Sequence, residues 1–282
     1  MSRTVLVLTA TGTTGSATVE ALVNQGAQVR AATRDPKAAT FPDGVQAVAW
    51  SFDDTSTWGA ALEGVHALYL AMPSFRPDEV EVGKAILAAA KAHGVKRVVK
   101  LSAIGVEQRP ESGHRQLELA IEASGLAWVH VRPSFFMENF IEFYGGPIKA
   151  EGALYLPAGQ GKTGFVAAAD IGAMAAAALL GTVSGEAWVI TGPESLDHAE
   201  VASQIAEATG KAVKYHDIPA QVFADALRSF GSPELGVATM SMLYEYVRNG
   251  YTGTVTGEVE RVLGRPATRF VDWAAEHAAA WR

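Results

Sequence analysis

Val5-Leu6-Val7-Leu8-Thr9-Ala10-Thr11-Gly12-Thr13-Thr14-Gly15 decides how this chain is read. A short apolar run, a turn holding two glycines and a helical pattern from Ser16 to Asn24 follow one another, and the helix stops near Gly26. In that setting Gly12 lets backbone approach a pyrophosphate and Gly15 lets the helix pack closely on the strand. The helix N-terminus offers N–H groups and a partial positive charge to phosphates. Thr11, Thr13 and Thr14 add hydroxyls. The glycine that usually makes the tight turn is replaced by Thr9, a stiffer β-branched residue, which is expected to weaken nucleotide binding without abolishing it.

Outward from this turn, short apolar runs alternate with helical patterns. Strands are expected at Gln28 to Ala32, Val45 to Trp50, Ala67 to Ala71, Val98 to Leu101 and Trp128 to Val131. Helices are expected at Thr55 to Leu62, Glu79 to His93 and Gln116 to Ala123. Strands apolar throughout, each followed by a helix, predict an α/β fold: a doubly wound parallel sheet of the Rossmann type. The rhythm breaks after Arg132-Pro133. A helix capped by Asp170 and a strand at Ala187 to Ile190 are expected to return to the sheet. Helical patterns follow at about Ala199 to Ala208, Ala220 to Arg228, Glu234 to Arg248 and Arg269 to Ala280. Residues 1–134 plus about 164–192 are therefore assigned to a nucleotide-binding domain. About 135–163 plus 193–282 are assigned to a smaller, mostly helical, substrate-binding domain.

The second strand ends at Thr33-Arg34-Asp35-Pro36. An acidic residue ending this strand would hold the ribose 2′-OH of NAD, whereas a basic one holds the 2′-phosphate of NADP. Arginine does so with a planar pair of donors. Arg34 therefore predicts NADP(H). Phe52-Asp53, after the third strand, is placed for the adenine edge. Ala71-Met72-Pro73, ending the fourth, is placed for the nicotinamide ribose.

Composition sets the outer limits. Of 282 residues, 49% are hydrophobic and 19% charged, and the net charge is −7 with no basic run, which argues against nucleic acid as a partner. Cysteine is absent, which removes disulfides, thiolate metal sites and a cysteine nucleophile. The histidines form no metal-ligand pattern, so no metal is predicted. The N-terminal apolar segment is too short to span a membrane and does not read as a signal peptide. A cytoplasmic protein with no membrane association is expected.

Several segments together carry a resemblance. They are Thr11-Gly12-Thr13-Thr14-Gly15, Arg34-Asp35-Pro36, Lys100-Leu101-Ser102-Ala103, Ser124-Gly125-Leu126 and Arg132-Pro133-Ser134-Phe135-Phe136-Met137-Glu138-Asn139, with Gly264-Arg265-Pro266 before a last helix. In this order they resemble the NmrA-like branch of the atypical short-chain dehydrogenases. Ordinary members of that superfamily reduce carbonyls with a Tyr-x-x-x-Lys pair, which falls here on Pro110 and His114, so a tyrosine acid is excluded. His114-Arg115-Gln116-Leu117-Glu118 instead resembles the quinone and triphenylmethane-dye reductases of the family. Spacing i, i+4 places His114 and Glu118 on one helix face, with Glu118 expected to orient His114 as a proton donor.

Ser102, at the end of the fifth strand, is expected to polarise a substrate oxygen near the nicotinamide. Pro133 and Phe135 complete the expected cofactor set. Phe136, Met137 and Tyr144 are expected on the substrate side, where aromatic faces suit flat acceptors. The reading is an NADPH-dependent oxidoreductase passing hydride to a planar conjugated small molecule: a quinone, an enone or a dye-like compound. Two alternatives stay open, a non-catalytic NADP(H) sensor controlling a regulatory partner and a non-redox enzyme with structural NADP. A homodimer is left open as well.

Overall fold

The computed structural model describes residues 3–282. The chain runs β1 (Thr4–Val7), α1 (Thr13–Asn24), β2 (Gln28–Thr33), β3 (Gln46–Ala49), α2 (Trp58–Leu62), β4 (Ala67–Leu70), α3 (Glu79–Ala92), β5 (Arg97–Leu101), α4 (Gly113–Glu122) and β6 (Ala127–Pro133). Next come α5 (Asn139–Glu142), α6 (Gly145–Glu151), β7 (Ala153–Leu156), α7 (Ala168–Leu180) and β8 (Glu186–Ile190). The chain ends with α8 (His198–Thr209), β9 (Lys214–Asp217), α9 (Ala220–Ser229), α10 (Glu234–Arg248), α11 (Glu258–Leu263) and α12 (Phe270–Glu276).

Seven strands pair in parallel in the order β3-β2-β1-β4-β5-β6-β8. The order reverses between β1 and β4, and ligands of such sheets bind outside the carboxyl ends at that switch point. The central strands are apolar on both faces because helices cover both; Ala67, Leu68, Tyr69 and Leu70 of β4 are all fully buried. This is the doubly wound Rossmann sheet expected from the strand pattern.

Two compact units are present. The first comprises residues up to Pro133, Ala168–Ile190 and Val262–Gly264; the second comprises Ser134–Ala167, Thr191–Arg261 and Arg265–Arg282. The core of the first includes Leu6, Leu8, Trp50, Trp58, Leu68, Ile86 and Leu117, with Trp50 and Trp58 stacked at 5.4 Å. On the other sheet face, α7 lies against α1 so closely that a Cβ at Gly172 would overlap the Ala17 carbonyl. Asp170 is not the cap of α7. The helix already starts at Ala168, and Asp170 sits buried in its first turn, where a carboxylate suits the positive end of the helix dipole.

The second unit holds α5, α6, a two-stranded parallel sheet of β7 and β9, and helices α8 to α10 and α12. Its core is aromatic: Phe140, Phe165, Tyr244, Phe270, Trp273 and Trp281. His198 is buried among these rings, 5.5 Å from Phe165 and 5.9 Å from Tyr244, and neither ring nitrogen has a hydrogen-bond partner. No helix among the described residues is long and apolar enough to cross a membrane.

Thr9 has φ of 49°, a left-handed backbone that costs an L-residue roughly 1–2 kcal/mol and a β-branched one no less. Among the described residues its hydroxyl bonds only the carbonyl of Leu8, at 2.7 Å. Thr9→Gly relieves that strain but loosens the unfolded chain by roughly 0.5–1 kcal/mol. The net expectation is a small rise in the urea midpoint, with nucleotide affinity equal or improved. A clear fall in either would show that the Thr9 hydroxyl contributes more than its backbone costs.

Burial holds His198 down to about 4, from 6.5. The unfolded chain therefore binds a proton below about 6.5 that the folded chain refuses until about 4. Stability from this residue is complete above that upper value and falls by about 1.4 kcal/mol per pH unit below it. His198→Leu should reduce the loss of unfolding free energy between pH 7 and pH 5 by about 2 kcal/mol. Parallel pH–stability curves for the two proteins would refute the neutral, buried imidazole.

Candidate active site

Within the first unit, a cleft of about 880 Å³ opens at the carboxyl ends of the strands. Thr9, Thr11 and Gly12 form one wall, Thr33, Arg34 and Asp35 line the end of β2, Phe52 and Asp53 follow β3, and Pro73 and Arg76 follow β4. The turn is shaped by glycine. A Cβ at Gly15 would overlap the Thr9 carbonyl oxygen, and one at Gly12 would press on the same atom at 3.3 Å. Gly12 is also the N-cap of α1 and carries no capping side chain, so the helix start is open to an anion.

Arg34 is exposed in the cleft and makes no ion pair among the described residues. Asp35 does not neutralise it, because Asp35 Oδ1 accepts hydrogen bonds from the backbone of Lys37 (3.0 Å) and Ala38 (3.2 Å). An open helix start, a glycine cradle and an unpaired arginine at the end of β2 suit the pyrophosphate and the 2′-phosphate of a dinucleotide.

Sequence reasoning missed Arg76. Its guanidinium meets Asp53 at 2.6 Å and Asp78 at 2.7 Å, and lies 5.9 Å above the Phe52 ring. A lone arginine between a strand pattern and a helical one gave no sequence signal. Other expected cofactor residues lie behind the lining: Thr14 and Ala71 are buried, Met72 is half-buried, and Thr13 begins α1. Pro133 is buried at the end of β6, where its carbonyl accepts from Ile104.

A second cluster lies on α3, β5 and α4. Ser112 Oγ accepts from the Arg115 backbone at 3.2 Å, so α4 starts at Gly113, three residues before the expected Gln116, and carries His114 in its first turn. Imidazole Nδ1 of His114 lies 2.9 Å from Glu79 Oε1 and 3.0 Å from Lys100 Nζ. Lys100 is 1% exposed and also donates to the Leu101 carbonyl at 2.9 Å. Burial pulls its ammonium down to about 8, against the pull of the Glu79 and Glu118 carboxylates. Burial works to raise Glu79, but His114 and Lys100 hold it below the usual carboxylate range.

The expected His114–Glu118 pair does not form. Glu118, fully buried, takes a two-pronged bond from Arg132 (2.9 and 2.7 Å) and a further one from Arg115 at 2.9 Å. Burial alone would raise its carboxyl, yet these donors hold it down at about 2. Ser102 is buried beside this carboxylate. Glu118, Glu122 and His130 offer ligand atoms within 4.8 Å of one another. Arg115 and Arg132 already occupy both carboxylates, so a cation there would face two guanidinium groups.

In the second unit, Phe135 is half-buried with its ring edge-on to Tyr244, and Phe136 bridges Val166. Met137 is 1% exposed and part of the core. Tyr144 accepts a hydrogen bond from the Tyr244 hydroxyl at 2.7 Å.

Comparison with known proteins agrees with this architecture. The NAD(P)H azoreductase of Xenophilus azovorans is 36% identical over 290 residues, spanning 98% of this chain and 99% of that protein. The Escherichia coli NADPH-dependent quinone oxidoreductase, solved with NADPH, superposes with a TM-score of 0.83 at 23% identity, over 97% and 99% of the two chains. The triphenylmethane reductase of Citrobacter sp. does so with a TM-score of 0.83 at 20% identity, over 99% of each. The profile of the NmrA-like family matches residues 1–275, and the chain belongs to that family.

Proposed function

We propose that this chain is an NADPH-dependent oxidoreductase that reduces planar, conjugated small molecules such as quinones, enones and azo or cationic dyes. The observation that carries the reading is the cleft beyond β1 and β2, with its glycine cradle, open helix start and unpaired Arg34. Its likeness to an azoreductase along the whole chain supports the class of acceptor.

The residues divide the work. The start of α1 and the Gly12–Gly15 turn hold the pyrophosphate, and Arg34 grips the 2′-phosphate. The bound nicotinamide supplies hydride, the difficult part of the chemistry. The chain supplies position and a proton. His114 is assigned the proton, because its Nε2 has no partner among the described residues and the imidazole is 42% exposed. Phe135, Phe136 and Tyr144 belong to the unit assigned to substrate binding. The cytoplasm is the proposed compartment.

Arg34→Ala should weaken NADPH binding by about ten- to a hundredfold, since a charge-assisted contact is worth roughly 1.5–3 kcal/mol. NADH binding should hardly change. Fluorescence titration decides, and equal losses for both cofactors would remove Arg34 from the 2′-phosphate.

His114→Ala should lower kcat while leaving NADPH affinity intact. With a quinone, whose product anion is delocalised, the loss should fall short of the roughly 10²–10⁴-fold that general acid assistance can contribute. An enone, with a more localised anion, should suffer more. Equal rates for parent and variant on both acceptors would make His114 structural. A parent protein that oxidises NADPH with no acceptor would overturn the enzyme assignment.

A further inference from the structure

One nitrogen of His114 has two partners of opposite charge at nearly equal distance. Nδ1 lies 2.9 Å from Glu79 Oε1 and 3.0 Å from Lys100 Nζ. A ring nitrogen either donates or accepts, according to where the imidazole proton sits. With the proton on Nδ1, the N–H faces the Lys100 amine, and Glu79 Oε1, which makes no hydrogen bond among the described residues, stands beside it as a counter-charge. With Nδ1 bare, Lys100 donates to it and Glu79 faces a lone pair. Lys100 therefore lies on the proton line of Nδ1, and Glu79 supplies the charge that balances it.

The packing is fitted to this arrangement. A Cβ at Gly113 would stand 2.9 Å from Glu79 Oε2, so glycine there admits the carboxylate. A Cβ at Gly83 would collide with the Leu117 side chain, so glycine on α3 lets the two helices come close enough for Glu79 to reach His114. Lys100 interrupts the otherwise apolar Val98-Val99-Lys100-Leu101 and is buried to 1%. A buried ammonium needs a reason, since burial disfavours it strongly.

We propose that Lys100 and His114 form a proton relay in which Lys100 is the proton store and Glu79 is its counter-charge. The proposal rests on reading His114 as the proton donor to the reduced acceptor. In the loaded state Lys100 is an ammonium donating to bare Nδ1, and the imidazole proton is on Nε2. As hydride arrives from the reduced nicotinamide, the N–H bond at Nε2 breaks and that proton joins the anion forming on the acceptor. The Lys100 proton passes to Nδ1. Lys100 is then a neutral amine and His114 a neutral imidazole, with its Nδ1–H donating back to the Lys100 amine. A proton from solvent entering at Nε2, with return of the Nδ1 proton to Lys100, resets the relay.

The charged groups facing Lys100 are Glu79 from α3, His114 and Glu118 from α4, and His130 and Arg132 from β6. With its ammonium near pH 8, the store is loaded at neutrality and empties above it.

The test is nitrogen NMR on histidine-labelled protein in the absence of acceptor, with His114 assigned by His114→Gln among the seven histidines. At neutral pH the parent should carry its proton on Nε2, and it should shift to Nδ1 as pH rises through about 8. Lys100→Met, close to isosteric and apolar, should carry Nδ1–H at neutral pH already. Glu79→Gln, which removes the counter-charge of Lys100, should move the switch to lower pH. In turnover, Lys100→Met should lower kcat/KM at neutral pH by roughly tenfold or more and lose the fall in rate above pH 8, with NADPH affinity unchanged. A parent that shows Nδ1–H or an imidazolium at neutral pH, insensitive to Lys100, overturns the relay. The parent titration requires no variant to fold. A pH-driven tautomer switch in a protein that reduces nothing would overturn the proposed function and leave the relay standing; turnover without the switch does the reverse.

Discussion

The carbonyl of Thr9 occupies the space that any side chain at position 15 would need, and the architecture of the first unit depends on that approach. It seats the start of α1 directly beyond β1 and leaves the cleft its floor. Gly172 and Ala17 repeat the device on the other face of α1, where α7 closes in at backbone distance. Helix α1 is thus held between a strand end and a second helix by contacts too close for a Cβ. A helix so held can present its N-terminus to phosphate without shifting, which is what preorganised electrostatics requires. The left-handed Thr9 is a local strain that the surrounding packing overrides.

The second deciding interaction is the Glu118–Arg132 pair, and it explains where His114 goes. A Glu and a His one turn apart on a helix gain only about 0.2–0.5 kcal/mol from meeting. A carboxylate taking a two-pronged guanidinium bond gains several times more, about 1.5–3 kcal/mol for each charge-assisted bond. Glu118 is also fully buried, and a buried carboxylate without a strong counter-charge would be costly. Arg132 and Arg115 therefore claim it. His114, left on the exposed edge of α4, meets the carboxylate of α3 instead.

The sheet was legible because both faces of its central strands are covered, so their signal is an apolar run and survives without any ligand. The glycine turn and Arg34 were legible for a different reason: their positions follow from strand ends. Elements with weaker local signals were missed. Short α5 and α6, the polar edge strand Lys214–Asp217 and α11 owe their form to tertiary contacts, as such segments commonly do. At the site, i, i+4 spacing predicted a face correctly and a partner wrongly, since spacing says nothing of the neighbouring strand that carries Arg132. Glu79 was read only as a helix start. Lys100 did leave a mark, a charged residue within a fully apolar strand, but its partners on α3 and α4 are distant in sequence.

Loss of the Tyr-x-x-x-Lys pair therefore does not empty this region of acid–base chemistry. A tyrosine acid would come from position 110, where proline stands. Here an imidazole from the same loop-to-helix segment sits against a lysine that comes from the sheet rather than from the helix. Burial of that lysine is tolerable because Glu79 and Glu118 flank it from two helices; Glu118 is locked by arginines, and Glu79 lies at ion-pair distance from His114. An acceptor with a delocalised product anion asks little of such a donor. With the proposed proton store held out of solvent, that modest demand can be served without a phenol.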